Sequence, residues 1–232
     1  MPGDGKLKLS AIILGRVLGY IEAFDIDPKG QVYFPELVRE IAKHYHFQKS
    51  PQTLEEHDLS KGVEFLNGRS GKRIIAKFTI WDTLLVLETR SNTSDSKELL
   101  EEFLLWGAEK LGLNYKPGMI VHYAYISAVT FHSDAPVLSV SPLLARIATK
   151  TSAALSEIWQ EPIHYESIEL KVGHDPMARQ YGIAPFQITR RANSKFSANK
   201  YYSEAPLPTD MHISVLEEYE AGIIELHGLP RK

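Results

Sequence analysis

The densest run of chemically capable side chains is TRRANSKFSANKYYSEAPLPTDMHIS, from Thr189 to Ser214. It closes on His212-Ile213-Ser214-Val215, a His-apolar-Ser-apolar pattern. Two-histidine phosphoesterases carry two such patterns on facing strands, so that two imidazoles act as acid and base. A second copy is missing, because the residues after His122, His132 and His164 fail the pattern at its third position. Thr209 or Asp210 reads as a helix cap, and Met211, Val215, Leu216 and Tyr219 follow at helical spacing as its apolar face. His212 is then expected as a surface histidine in a first turn, not as an acid or base.

The front of the same run is basic and aromatic. Arg190, Arg191, Lys195 and Lys200 fall within eleven residues with no acid between them, alongside Phe196, Tyr201 and Tyr202. Cations for phosphates and rings for stacking are what a single-strand nucleic-acid groove requires. Strand phase divides the set. With Phe186 and Ile188 facing a core, Arg190 points the same way and Arg191 the opposite way. Arg190 is therefore expected as a structural anchor needing a carboxylate or carbonyl partner. Arg191, Lys195, Lys200, Tyr201 and Tyr202 form the candidate set for ligand or nucleic-acid contact.

Other chemistries find less support. Acids neighbour several of the nine histidines, as in His57-Asp58, His132-Ser133-Asp134 and His174-Asp175, yet no spacing typical of a metal site occurs. His44 and His46 lie at a helix end, where the dipole favours them without a metal. There is no G-x-S-x-G elbow. Gly68 to Arg73, GRSGKR, is glycine-rich and basic but has the wrong spacing for a phosphate loop and precedes a strand; it reads as a hairpin turn with cations on its rim. With no cysteine, disulfides, thiol catalysis and thiolate metal sites are excluded.

These residues must be held by a folded frame. The N-terminal segment Lys6 to Ile26 reads as strand, with Gly15 and Gly19 arguing against a helix. Arg16 interrupts its apolar run, Leu9 to Gly19, so the run is not read as a signal peptide. Helices are expected at Pro35 to Tyr45, from the Asp95 region to Leu111, from Ser141-Pro142 to Trp159, and from Asp210 to Ala221. The third of these carries a stripe of Leu144, Ile147, Ala148, Thr151, Leu155 and Ile158. Strands are expected at Val63 to Leu66, Lys72 to Ile80, Leu84 to Arg90, Met119 to Phe131, Ile163 to Val172 and Pro185 to Arg191, with a turn at Asn67 to Gly71 and a loop from Gly173 to Ala184. Within Lys72 to Ile80, alternation puts Ile74, Ala76, Phe78 and Ile80 on one side. Met119 to Phe131 is apolar on both faces, as a central strand would be.

The fold class expected is α+β: an antiparallel or mixed sheet built from β-hairpins, with helices packed on one face. Lys72–Leu111 and Ile163–Ala221 share the order strand, strand, polar cap, helix, which suggests two similar α+β halves. The chain of 232 residues reads as one compact domain, with sub-domains at 1–116 and 117–232 sharing a sheet or core. A net charge of -3 gives no global footprint for nucleic acid or anionic membrane. The functional expectation is a cytosolic, cofactor-free, non-enzymatic binding or assembly protein that meets a protein partner or itself. Nucleic-acid binding through residues 189–202 is the alternative, and a His/Asp hydrolase the second.

Overall fold

A computed structural model describes residues 7–30, 32–175, 177–178 and 183–229. Part of the loop expected at Gly173 to Ala184, and the basic C-terminus, lie outside the described residues.

Eight strands form one antiparallel sheet in the order β2-β3-β4-β1-β5-β8-β7-β6. In chain order the elements are β1 (Lys8–Tyr20), a short α1 (Ala23–Ile26), α2 (Phe34–His44), β2 (Val63–Ser70), β3 (Arg73–Ile80), β4 (Leu84–Thr89), α3 (Thr93–Leu111), β5 (His122–His132), α4 (Pro142–Trp159), β6 (Glu169–Val172), β7 (Phe186–Arg190), β8 (Lys200–Ala205) and α5 (Thr209–Leu226). Apart from α1, the order strand, helix, three strands, helix occurs twice, once from β1 to α3 and once from β5 to α5. A shift of 116 positions carries Thr93 onto Thr209, β4 onto β8, and Leu100-Glu101-Glu102-Phe103 onto Leu216-Glu217-Glu218-Tyr219. Leu100 and Leu216 are both fully buried.

The chain divides into two compact units. One comprises residues 12–127 with 206–210, the other residues 1–11, 128–205 and 211–232, so the division passes through β1 and β5. In the first unit, α2 places Leu37, Val38 and Ile41 into a core with Val17, Phe65, Phe78, Leu87 and the Leu99, Leu100, Phe103 and Leu104 face of α3. Asn92 caps α3 by accepting from the Asp95 backbone N–H at 2.7 Å, and Gly112 ends it in the left-handed region. Gly15 of β1 is required by close approach: a Cβ there would lie 2.5 Å from the Ser91 carbonyl oxygen, and the Ser96 hydroxyl donates to the Gly15 carbonyl at 2.8 Å. Arg16, which breaks the apolar run, sits opposite Glu88 in the β1–β4 register and pairs with it at 2.8 Å.

Several expectations are corrected. β2 runs on to Ser70, so the turn begins at Gly71 instead of Asn67; Gly68 lies within the strand because the Phe47 ring packs where its Cβ would be. The alternation expected in β3 is broken by a register shift between Ile75 and Lys77, which buries Ile75 with Phe78 and leaves Ile74 exposed. The strand expected from Ile163 is confined to Glu169–Val172, and Lys200–Ala205, outside every expected strand, is a strand. α5 continues through Gly222 to Leu226, and its buried face is His212, Leu216, Glu220 and Ile223, with Met211 and Val215 exposed.

Candidate interaction surface

In the second unit, β7 and β8 position most of the residues singled out from the sequence. The Arg190 guanidinium lies over the rings of Phe196 and Tyr201 at 4.9 and 5.2 Å. It donates to the Phe196 carbonyl at 2.7 Å and pairs with the Glu166 carboxylate, which also meets His164 at 2.8 Å. Its charge is thus both partnered and stacked on aromatic faces.

The candidate contact residues are brought together only in part: the Arg191 N–H donates to the Lys200 carbonyl at 3.0 Å, with Lys195 in the loop between them. Arg191, Lys195 and Lys200 are exposed. Tyr201 is fully buried, stacked on Phe131 at 5.3 Å, with its hydroxyl donating to the Asn199 side-chain oxygen at 3.0 Å. Tyr202, on the opposite face of β8, is half-buried and donates to Glu204 at 2.9 Å. The alternation of β8 therefore gives one tyrosine to the core and removes it from any solvent-facing set.

His212 is in the first turn of α5, but it is buried, not on the surface. Its Nε2 lies 2.8 Å from the Ser203 Oγ, and the Phe186 ring meets it edge-on at 5.7 Å. This resembles a nucleophile–base pair only in distance. The Ser203 hydroxyl proton goes to the Gln187 carbonyl at 2.8 Å, so the imidazole must donate its Nε2–H to the Ser203 oxygen. Burial pushes the His212 pKa down to about 4, which makes it a poor proton acceptor. Both side chains are wholly enclosed. The pair closes α5 onto β8. At the corresponding place 116 positions earlier, buried Ser96 meets Thr89 at 2.8 Å and closes α3 onto β4.

The other candidate clusters disperse. Among the described residues there is no group of three or more His, Asp or Glu that could hold a metal ion. Of the cations in GRSGKR, Arg73 is paired with Glu102, and Arg69 lines an open cleft with His46 and Arg90.

The feature that stands apart is α4. Ser141 caps it by accepting from the Leu144 N–H at 3.4 Å, and Pro142 occupies its first turn. One side is fastened to the returning chain, where Ser152 Oγ accepts from the Tyr165 N–H at 2.9 Å and Ser156 Oγ from the Ile163 N–H at 2.8 Å. No residue of the helix is buried. Leu143, Ile147, Ile158 and Trp159 are 66, 62, 72 and 66% exposed, and Leu144 and Ala154 are exposed with them. At 100° per residue Leu143, Ile147, Ala154 and Ile158 share one stripe turned away from the two serines, Leu144 lies at its edge, and Trp159 falls beside Ser152. The corresponding helix of the other repeat, α2, buries Leu37, Val38 and Ile41. Of the stripe expected from periodicity, Leu144, Ile147 and Ile158 are exposed while Ala148, Thr151 and Leu155 are half-buried, and Leu143 and Ala154 are not among its members. Beyond α4, β6 ends the sheet order and leaves Ile168 and Val172 largely exposed.

No helix among the described residues is long and apolar enough to cross a membrane. No family model matches the chain, and no curated protein matches it.

Proposed function

We propose that this chain is a non-enzymatic binding or assembly component that works through protein–protein contacts, with the exposed face of α4 as its contact surface. The observation that carries the reading is the contrast between α2 and α4. The same place in the repeated element order holds one helix that buries its apolar stripe and one that buries nothing. A fully exposed Leu or Ile forgoes about 1.5–3 kcal/mol of burial, and Leu143, Ile147 and Ile158, more than half exposed, each forgo a large part of that, so the stripe favours being covered. Exposed apolar surface of this kind marks interaction sites in folded proteins. The absence of cysteine fits a reducing compartment such as the cytosol.

The test is to replace Leu143, Ile147 and Ile158 with Lys in one chain. Circular dichroism and the thermal midpoint should stay close to those of the unaltered protein, because the three side chains support no core. Recovery of the protein that co-purifies with the tagged chain from its native host should fall to background. Loss of the fold would make the stripe part of the core and end the proposal. Unchanged co-purification would end it as well.

A further inference from the structure

The apolar face of α4 is patterned to meet itself. The helix spans residues 142–159, so its midpoint lies between Lys150 and Thr151. About that midpoint, Leu143 mirrors Ile158 and Ile147 mirrors Ala154. When two copies of this helix lie antiparallel, each Leu143 therefore meets Ile158 of the other copy, and each Ile147 meets the smaller Ala154, large against small.

The charges follow the same rule. Arg146, Lys150 and Glu157 lie on one flank of the stripe, the cations in the N-terminal half and the acid in the C-terminal half. None can be neutralised within its own helix, since neither cation has a carboxylate three or four positions away and Glu157 has no cation there. None of the three side chains takes part in an ion pair among the described residues. Reversing a second copy about the midpoint sets its Glu157 level with Leu144 of the first, about 3 Å along the axis from Arg146, and the relation holds twice, while the two Lys150 side chains meet at the centre. A parallel pair would instead oppose like charges.

We infer that the α4 face is the isologous interface of a homodimer, in which two copies of α4 pack antiparallel through Leu143, Ile147, Ala154 and Ile158, flanked by reciprocal Arg146–Glu157 pairs. This rests on α4 being a contact surface and adds the identity of the occupant. A two-fold interface presents the same patch from both subunits and must be self-complementary, as this one is.

The test uses the whole chain and reads mass by light scattering and sedimentation. The unaltered protein should be dimeric at micromolar concentration. Glu157→Arg makes the flank wholly basic, and the double change Arg146→Glu with Lys150→Glu makes it wholly acidic. Each variant alone should dimerise about tenfold more weakly, while an equimolar mixture should restore a one-to-one heterodimer. Orientation is read by oxidation, since the chain has no cysteine of its own. Thr151→Cys, next to the midpoint, should form a disulfide-linked dimer. Leu143→Cys should not, because its two copies would be about 22 Å apart, but it should cross-link to Ile158→Cys on mixing. A chain that stays monomeric at high micromolar concentration, or charge variants whose mixture gives no heterodimer, would overturn the inference. The two readings then separate. If the Lys substitutions at Leu143, Ile147 and Ile158 still release a different protein from the tagged chain, α4 remains a contact surface for another partner. If they release nothing, both readings fall.

Discussion

Thr93 and Thr209, 116 positions apart, satisfy each other's backbone: the Thr93 N–H donates to the Thr209 hydroxyl oxygen at 3.0 Å, and the Thr209 N–H donates to the Thr93 hydroxyl oxygen at 2.9 Å. They are the first residues of α3 and α5, belong to the same compact unit, and are both buried. A helix start leaves N–H groups without intrahelical partners, and burial removes water as a substitute. Each threonine therefore supplies the acceptor that the other's position lacks.

Thr209→Val keeps the shape and removes the acceptor, which leaves the Thr93 N–H buried and unpaired. The expected cost is about 1–3 kcal/mol, and Thr93→Val should cost a similar amount. The bond between the two hydroxyls, at 3.3 Å, is lost in either single change and so is counted twice in their sum, and the double variant should lose less than that sum. Urea melts of the four proteins measure this; strict additivity would show that the two residues act independently.

The tyrosine pair makes a sharper contrast. Tyr201→Ala deletes a ring held between Phe131 and the Arg190 guanidinium, so a loss of about 3–5 kcal/mol is expected. Tyr202→Ala removes a half-buried ring whose hydroxyl donates to an acid, for which about 1 kcal/mol is expected. Comparable denaturation midpoints for the two variants would contradict the assignment of Tyr201 to the core.

Much of the frame was legible because apolar periodicity and caps were strong: α2 and α4 begin close to where Pro35 and Ser141 direct them and α3 ends at Gly112, although its cap is Asn92 and not in the Asp95 region. What failed has local causes. β8 was not recognised because its three inward residues are Tyr201, Ser203 and Ala205, which do not read as an apolar stripe. The face of α5 was misphased for the same reason, since two of its buried positions are His212 and Glu220. In β3 a bulge shifts the phase after Ile75, which simple alternation cannot anticipate. The contact set drawn from residues 191–202 included Tyr201 because neighbours in sequence point to opposite faces once they lie in a strand. The spacing in α4 picked out Leu144, Ile147 and Ile158, which are exposed, together with Ala148, Thr151 and Leu155, which are half-buried, and amphipathicity specifies only that a face is apolar. Whether the chain itself covers that face depends on packing, for which no local signal exists.

The buried imidazole makes stability depend on pH with a definite sign. His212 is pushed down to about 4 in the folded chain by burial, while in the unfolded chain it titrates near 6.5. Above 6.5 both states hold it neutral, and its burial carries no protonation penalty. Between 6.5 and 4 the unfolded chain takes up a proton that the folded chain refuses, so stability falls as pH falls, by roughly 3 kcal/mol in total. Glu220 acts in the opposite sense, because burial raises its pKa and favours the folded chain as acid is added. The two are separated by His212→Gln, which keeps an N–H donor for Ser203 but cannot titrate. Urea melts from pH 4 to 7.5 should show the difference between the two proteins shrinking or reversing as pH falls below 6.5. Parallel curves across that range would place His212 in an environment where its charge is tolerated, contrary to its enclosure between Ser203 and Phe186.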